Sequence, residues 1–344
     1  MNEMEYQMIF KRKSFHLFKD TGHLSDMELV QIKDAFRSCR TLVPEIKVDM
    51  MIVPADQTSC KRGQEYCILL YSEKKEGYLS NIGYIGEQLD LYLASLNIGA
   101  LWFGIGKTEE RSYNGLDFVI MIAIAKMPQD KFRKDMFKSK RKPLNEVWHG
   151  VHYTNIGNIA RFAPSACNTQ PWIVEATQTG LSVYRYKKPG KRGIMPVAMV
   201  THYNRIDIGI FLLFLELCLE HEGIGFERTL LPDTGDEEKT LIAVYETEKQ
   251  HDRNHAVSQN NILFYWTAPQ PGVYLCPWGI IALSGMKTRL VASVVGYFRS
   301  GMGGTFSAVI SAGNAARSIL TPRRYPSSNS SSPVMLARSA TAFA

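Results

Sequence analysis

Residues 253–344 contain no aspartate and no glutamate, although eight basic residues lie there (Arg253, Lys287, Arg289, Arg299, Arg317, Arg323, Arg324 and Arg338). With acids making up about half of the usual ~25% of charged residues, the chance of finding none in such a stretch is on the order of 10⁻⁵. Removing those eight from the 40 Lys and Arg of the chain leaves 32 against 33 acids in the first 252 residues, so the net charge of +7 belongs to the tail. A nucleic-acid-binding arm would be denser in Lys and Arg than this, and a frame shift, read-through or mis-joined exon accounts better for the segment. No nucleic-acid partner is expected. Gly-Met-Gly-Gly at 301–304 and the Ser-rich run at 327–333 lead us to expect little stable structure after about residue 250.

Other absences narrow the reading further. The six cysteines (Cys39, Cys60, Cys67, Cys167, Cys218 and Cys276) include no Cys-x-x-Cys pair and suggest no disulfide framework, so a reducing, cytoplasmic setting is expected. Residues 1–10 carry acids and precede Lys11, Arg12 and Lys13, the reverse of a secretory signal. The longest apolar runs, 206–219 (interrupted by Asp207 and Glu216) and 273–283, fall short of the roughly 18–20 residues of a spanning helix, so no membrane partner is expected. Nothing resembles a Ser-His-Asp set or a phosphate-binding P-loop. His149 and His152 lack a third ligand and read as surface or helix-start residues, so no metal is expected.

What is present is a chain of 344 residues with 45% hydrophobic and 11% aromatic residues, enough for one large or two ordinary domains. A repeat organises the first 250. Asn81-Ile82-Gly83 opens an apolar stretch that closes on Asn97-Ile98-Gly99, and a shift of 126 finds Asp207-Ile208-Gly209 and Gly223-Ile224-Gly225. Between these ends, the first copy places Ile85, Leu89, Tyr92, Leu93 and Leu96 on one helical face, and the second is apolar nearly all round, as a deeply buried helix is. Asn81 and Asp207 suit helix N-caps and the closing glycines suit C-caps.

Helices are predicted upstream at 24–39 and 144–162. Strands are predicted at 46–53, 67–72 and 118–125 in the first copy, and at 172–176, 181–186 and 241–245 in the second. The expected fold class is α+β, with halves at 1–135 and 136–250 followed by a tail at 251–344. Joined in one chain, the halves imitate a homodimer with the most apolar helix as the seam, a monomeric pseudo-dimer.

The chemistry concentrates at 163–172, where a turn with two prolines carries Ser165, Asn168, Thr169 and Gln170. Small side chains, amides and backbone N–H groups suit the polar edge of a flat heteroaromatic ring, although taken alone the segment is a helix-terminating turn. Pro164-Ser165-Ala166-Cys167-Asn168-Thr169-Gln170-Pro171-Trp172 resembles the Pro-Ser-Ser/Ala-x-Asn-x-Gln-Pro-Trp signature of the FMN-dependent nitroreductase family. Near the amino terminus, Arg12-Lys13-Ser14-Phe15-His16-Leu17-Phe18 resembles that family's Arg-Arg-Ser-x-Arg-x-Phe segment, with His16 where a second Arg is usual. A guanidinium and a hydroxyl are what a phosphomonoester needs, though Arg-Lys-Ser alone is also what a solvated basic patch looks like. Asn97-Ile98-Gly99-Ala100-Leu101-Trp102-Phe103-Gly104 is similar to the turn after the family's central helix, without its Thr-Cys pair, and core packing explains Trp102 equally well.

The resemblance covers roughly residues 5–248 and fits the family's tandem, fused pseudo-dimer subfamily. It implies a nitroreductase-like three-layer sheet-and-helix fold. It further implies FMN bound by Arg12, Lys13, Ser14, His16, Pro164, Ser165, Ala166, Asn168 and Gln170, with Trp102, Phe103 and Gly104 near the flavin. Pro171 and Trp172 would serve packing, and Cys167 is either a small packed residue or a redox thiol. The two motifs stand about 150 residues apart, on opposite halves, and neither half carries both, so one site per chain is expected. The implied activity is ping-pong electron transfer from NADH or NADPH through flavin N5 to a nitroaromatic, quinone or similar small acceptor, with no catalytic side chain required. The alternative is a pseudo-dimer that binds flavin or another ligand without turnover.

Overall fold

Two long helices hold the centre of the fold, and their composition explains why. The computed structural model describes residues 3–247 apart from 189 and 191, together with the backbone of two strands at 290–297 and 303–310. The chain divides into two units, Met1–Gln250 and His251–Ala344. The first contains α1 (Glu3–Lys11), α2 (Asp26–Arg37), β1 (Val48–Pro54), β2 (Tyr66–Ser72), α3 (Tyr78–Ser95), β3 (Ile98–Phe103), β4 (Ser112–Tyr113) and β5 (Leu116–Lys126). After these come α4 (Leu144–Val147), β6 (Trp148–His149), α5 (Thr154–Ala160), β7 (Trp172–Thr177), β8 (Gly180–Tyr186), α6 (Val200–His221), β9 (Phe226–Leu230) and β10 (Lys239–Thr247).

Helix α6 is buried on nearly every face from Ile206 to Leu219. Together with the few residues before it, it is the one helix among the described residues long and apolar enough to cross a bilayer by length and composition, yet most of it is covered by protein. An all-round apolar helix needs partners on every side. Helix α3 supplies one of them, and a single apolar core joins both helices to Ile68, Ile122, Val174, Val183 and Tyr245 from the strands. On β2, Cys67, Leu69 and Tyr71 alternate onto the opposite face and pack with Phe15, Phe18 and Met121, as the two-residue period of a strand requires.

The strands form two sheets, in the orders β1-β2-β5-β3 (with β4 on β5) and β6-β7-β8-β10-β9. Setting aside β4 and the two-residue β6, both have four antiparallel strands in the same order, with the long helix inserted between the second strand of the chain and the third. Each sheet also carries a bulge at a comparable place, with Val119 the extra residue in β5 and Ile242 in β10.

The shift of 126 recurs in the contacts. A Cβ on Gly83 would lie 2.0 Å from the carbonyl oxygen of Ile206, and one on Gly209 would lie 1.9 Å from that of Ser80. The two helices therefore cross with their backbones touching, at paired positions. Asn97 and Gly223, again 126 apart, both take left-handed backbone, with φ of 58° and 64°. Asp90 accepts from Trp102 Nε1, and its counterpart Glu216 accepts from Arg228, the counterpart of Trp102.

Three sequence expectations need correction. Asn81 and Asp207 are not N-caps: α3 starts at Tyr78 and α6 at Val200, leaving both residues buried inside their helices. Their carboxamide and carboxyl oxygens are used across the fold instead, Asn81 Oδ1 accepting from Leu42 N (2.8 Å) and Val43 N (3.0 Å), and Asp207 Oδ1 from Ala166 N (2.9 Å). Gly99 lies within β3 rather than capping α3, although Gly223 does follow α6 in the left-handed form. The helix predicted at 144–162 is broken into α4 and α5, because Trp148 and His149 leave the helix to pair in parallel with Val174 and Glu175 of β7.

In the second unit, β11 (Leu290–Tyr297) and β12 (Gly303–Ile310) form one antiparallel ladder. Little structure was expected from the composition there, but Val291, Val294 and Val295 are β-branched residues of the kind that strands favour. The remaining tail expectations lie outside the described residues.

Candidate active site

The amino-terminal motif is placed by β3. Ser14 forms a parallel bridge with Ala100, and Phe15 N donates to Ala100 O at 3.0 Å, so the segment after α1 runs along β3 and brings Ser14 and His16 beside Trp102 and Phe103. Arg12, despite its charge, is buried. Its Nε donates to Asp90 Oδ2 at 2.8 Å and lies 3.1 Å from Glu87 Oε1, its Nη2 lies 2.7 Å from Asp90 Oδ2, and Nη2 donates to Ser14 Oγ at 3.3 Å. Burial opposes the guanidinium charge, and Asp90 and Glu87 outweigh it. Burial likewise lifts the Glu87 carboxyl well above the usual carboxylate range, against the pull of Arg12. Lys13 turns to the surface, where Nζ donates to Lys131 O at 3.0 Å.

The 163–172 turn is held in an unfavourable backbone shape. Cys167, Asn168 and Gln170 all have positive φ (50°, 55° and 48°) without a glycine among them, each costing about 1–2 kcal/mol. Hydrogen bonds determine that shape from several directions. Gln170 N donates to Ser165 Oγ (2.9 Å), Thr169 Oγ1 to Ala166 O (3.0 Å), Lys142 N to Gln170 Oε1 (2.8 Å) and Arg141 Nη1 to Asn168 Oδ1 (2.9 Å). Asn168 and Gln170, expected as flavin contacts, thus face the 140–142 segment. Trp172 is buried and stacks on Phe211 at 4.7 Å between ring centroids, the packing role expected of it.

A cavity of about 260 Å³ lies where these segments meet. Ser14 and His16 line it from the amino-terminal segment, Trp102, Phe103 and Gly104 from β3 and its end, and Pro164, Ser165, Ala166 and Cys167 from the turn. Arg12, Lys13, Asn168 and Gln170 are not among its lining residues. Sequence reasoning missed Arg62, Tyr203 and Asp207, along with the aliphatic wall of Ile120, Ile206 and Ile210. The one signal available was Asp207 itself, an acid set between Ile206 and Ile208 in the most apolar helix of the chain.

Apolar walls beside a serine hydroxyl, an imidazole and a guanidinium suit a flat aromatic molecule with an anionic end. Arg62 is the guanidinium on that wall, its charge 5.8 Å from the centre of the Phe103 ring. Tyr203 Oη donates to Gly104 O at 2.8 Å and thereby ties α6 to the end of β3. Asp207 Oδ2 has no hydrogen-bond partner among the described residues, an orphaned buried oxygen on the cavity wall.

A family model described as "Putative TM nitroreductase" matches residues 5–218. No curated protein matches the chain. Among solved structures, similarity is found to a "putative nitroreductase" from Thermotoga maritima, at 20% identity over 72% of this chain and 93% of that one, with a TM-score of 0.44. An FMN-dependent nitroreductase from Clostridium difficile is similar at 12% identity over 43% of this chain and 94% of that one, with a TM-score of 0.30. A third likeness, to a "putative NADH dehydrogenase/NAD(P)H nitroreductase" from Parabacteroides distasonis, is 12% identical over 44% and 99%, with a TM-score of 0.35. Because the family model spans more than half of its residues, the chain belongs to this nitroreductase family of oxidoreductases.

Proposed function

We propose that the protein is an FMN-dependent NAD(P)H oxidoreductase, folded as an intramolecular pseudo-dimer with one flavin site. The observation that carries this reading is the convergence of Ser14 and His16 from one half with Pro164 to Cys167 from the other on a single cavity. Strand orders and helix contacts repeated at a shift of 126 support the pseudo-dimer. In the first half, Leu42 and Pro44 stand 126 residues before Asn168 and Gln170, so the turn's two amides have no counterpart there, which supports a single site.

When bound, FMN supplies the hydride chemistry, accepting from NADH or NADPH and passing electrons to a nitroaromatic, quinone or similar acceptor. The protein's part is binding and orientation. Ser14, His16 and Arg62 form the polar end suited to a phosphate, while Pro164 to Cys167, Trp102 and the aliphatic wall bound the ring. Arg12 acts at one remove, by holding Ser14 in place and joining the amino-terminal segment to α3. Asn168 and Gln170 act by fixing the turn against Lys142 and Arg141.

A second reading, a pseudo-dimer that binds flavin or another ligand without turnover, is favoured by one observation: the guanidinium expected on the phosphate is taken up by Asp90 and Glu87. One experiment decides between them. The full chain, purified and incubated with FMN, is expected to retain it with a flavin absorbance spectrum, and NADH or NADPH is expected to bleach that spectrum. A protein that takes up no FMN sinks both flavin readings, and bound FMN that no nicotinamide bleaches selects the second. Ser14→Ala is expected to weaken FMN binding about tenfold, the loss of one hydrogen bond to a charged group.

A further inference from the structure

Asp207 is the anomaly of α6. Its side chain is 3% exposed, it lines the cavity, and no cation pairs with it among the described residues. One oxygen accepts from Ala166 N, which leaves the other, Oδ2, without a protein partner. Its counterpart across the shift of 126 is Asn81, equally buried, whose Oδ1 accepts from a backbone turn in the same manner and whose Nδ2 is also unpartnered. The fold therefore accepts a neutral amide at this position, and the half that contributes the 163–172 turn carries an acid there instead.

Burial pushes the Asp207 carboxyl up to about 8, against the N–H of Ala166, which works in the opposite direction. At neutral pH the group keeps its proton and Oδ2 is a donor. The other titratable or charged groups on the cavity are His16, Arg62, Cys167 and Tyr203. On α3, packed against α6, Glu87 and Asp90 are held by Arg12.

We propose that Asp207 is a further binding residue of the site, a carboxylic acid that donates Oδ2–H to a ring nitrogen or carbonyl oxygen of the flavin seated in the cavity. The inference rests on the flavin reading above. It has a consequence that reading lacks: above the carboxyl's own titration the donor is lost and a buried negative charge faces the electron-rich edge of the ring. FMN affinity then depends on pH in a way that a serine or a backbone N–H would not produce.

The test is an FMN titration of the full chain, followed by flavin fluorescence from about pH 6 to about pH 10, for the wild type and Asp207→Asn. Wild-type Kd is expected to stay level up to about pH 8 and to rise about tenfold per pH unit beyond it. In Asp207→Asn it is expected to stay level throughout, since an amide donates at every pH. His16 is present in both proteins, so its influence cancels. Equal pH profiles for the two proteins overturn the role of Asp207 and leave the flavin reading standing, whereas failure of both to bind FMN at any pH overturns the two together.

A second measurement needs neither variant nor flavin. In the apoprotein labelled with carboxyl-¹³C aspartate, the infrared band of a protonated aspartic acid is expected at neutral pH and should vanish as pH passes about 8. Its absence at neutral pH would overturn the proposal even where FMN binds. Should Asp207→Asn fail to fold, that band together with the wild-type pH profile decides the matter.

Discussion

Gly83→Ala and Gly209→Ala are each expected to cost about 3–5 kcal/mol of stability, the upper part of what overpacking does. The added methyl would stand 2.0 Å from the carbonyl oxygen of Ile206 in the first case and 1.9 Å from that of Ser80 in the second. Neither obstacle is the end of a flexible side chain. Both are helix backbone, and Ser80 also donates its hydroxyl to Arg205 O at 3.1 Å across the same crossing. Relief requires α3 and α6 to move apart, which loosens the core along their common length. Urea denaturation checks this, with a lower midpoint and an unchanged m-value. Because both methyls open one crossing, the double variant is expected to lose less than the sum of the two. A large loss from one glycine and none from the other would contradict a paired crossing.

Arg12→Ala is expected to destabilise the protein by about 3–5 kcal/mol, because it removes one member of a buried ion pair and strands the other. Asp90 would lose the guanidinium at 2.7 Å and keep only Trp102 Nε1 at 3.1 Å. Glu87, 3.1 Å from the same guanidinium and already pushed up by burial, would lose that partner as well. Replacing the whole cluster by neutral residues of similar size, Arg12→Met with Glu87→Gln and Asp90→Asn, is expected to recover much of the loss, as buried ion pairs are often matched by apolar packing. An Arg12→Ala protein with the parent's unfolding midpoint and a weaker grip on FMN alone would place Arg12 on the phosphate and refute its structural role.

The contrast between these predictions reflects what local sequence can and cannot carry. Helix and strand periods placed β2, β5, β8 and β10 within a few residues, because a strand's two-residue alternation and a helix's apolar face are local properties. The repeat was legible because paired glycines and polar residues are spaced identically in both copies. Asn81 and Asp207 were misplaced for a physical reason: their best hydrogen-bond partners lie at Leu42 and Ala166, far away in sequence, and tertiary donors outcompeted the capping role that local chemistry favours. The break after Val147 depends likewise on a strand pairing with β7 that no helical period announces.

For the site, the motifs meet on one cavity through Ser14, His16, Trp102 and Pro164 to Cys167. They did not convey direction. Positive φ at Cys167, Asn168 and Gln170 turns two of the expected contacts toward the 140–142 segment, and a turn without glycine gives no warning of such backbone. Arg12 was expected on the FMN phosphate, and its burial against two acids was not foreseen because they are 75 and 78 residues downstream, on a helix whose inward face is only defined once α6 packs against it.

The crossing of α3 and α6 is made within one chain, and that has a thermodynamic consequence. Two separate subunits meeting in this way would come apart on dilution, and their unfolding temperature would track protein concentration. Here the partner helix is held at the other end of a tether, so dilution cannot separate the two helices. A single chain is also released from a rule that binds every homodimer, in which one codon specifies both copies of a position. With that rule lifted, one member of a matched pair can remain an amide that supports a turn while the other becomes an acid able to gain and lose a proton.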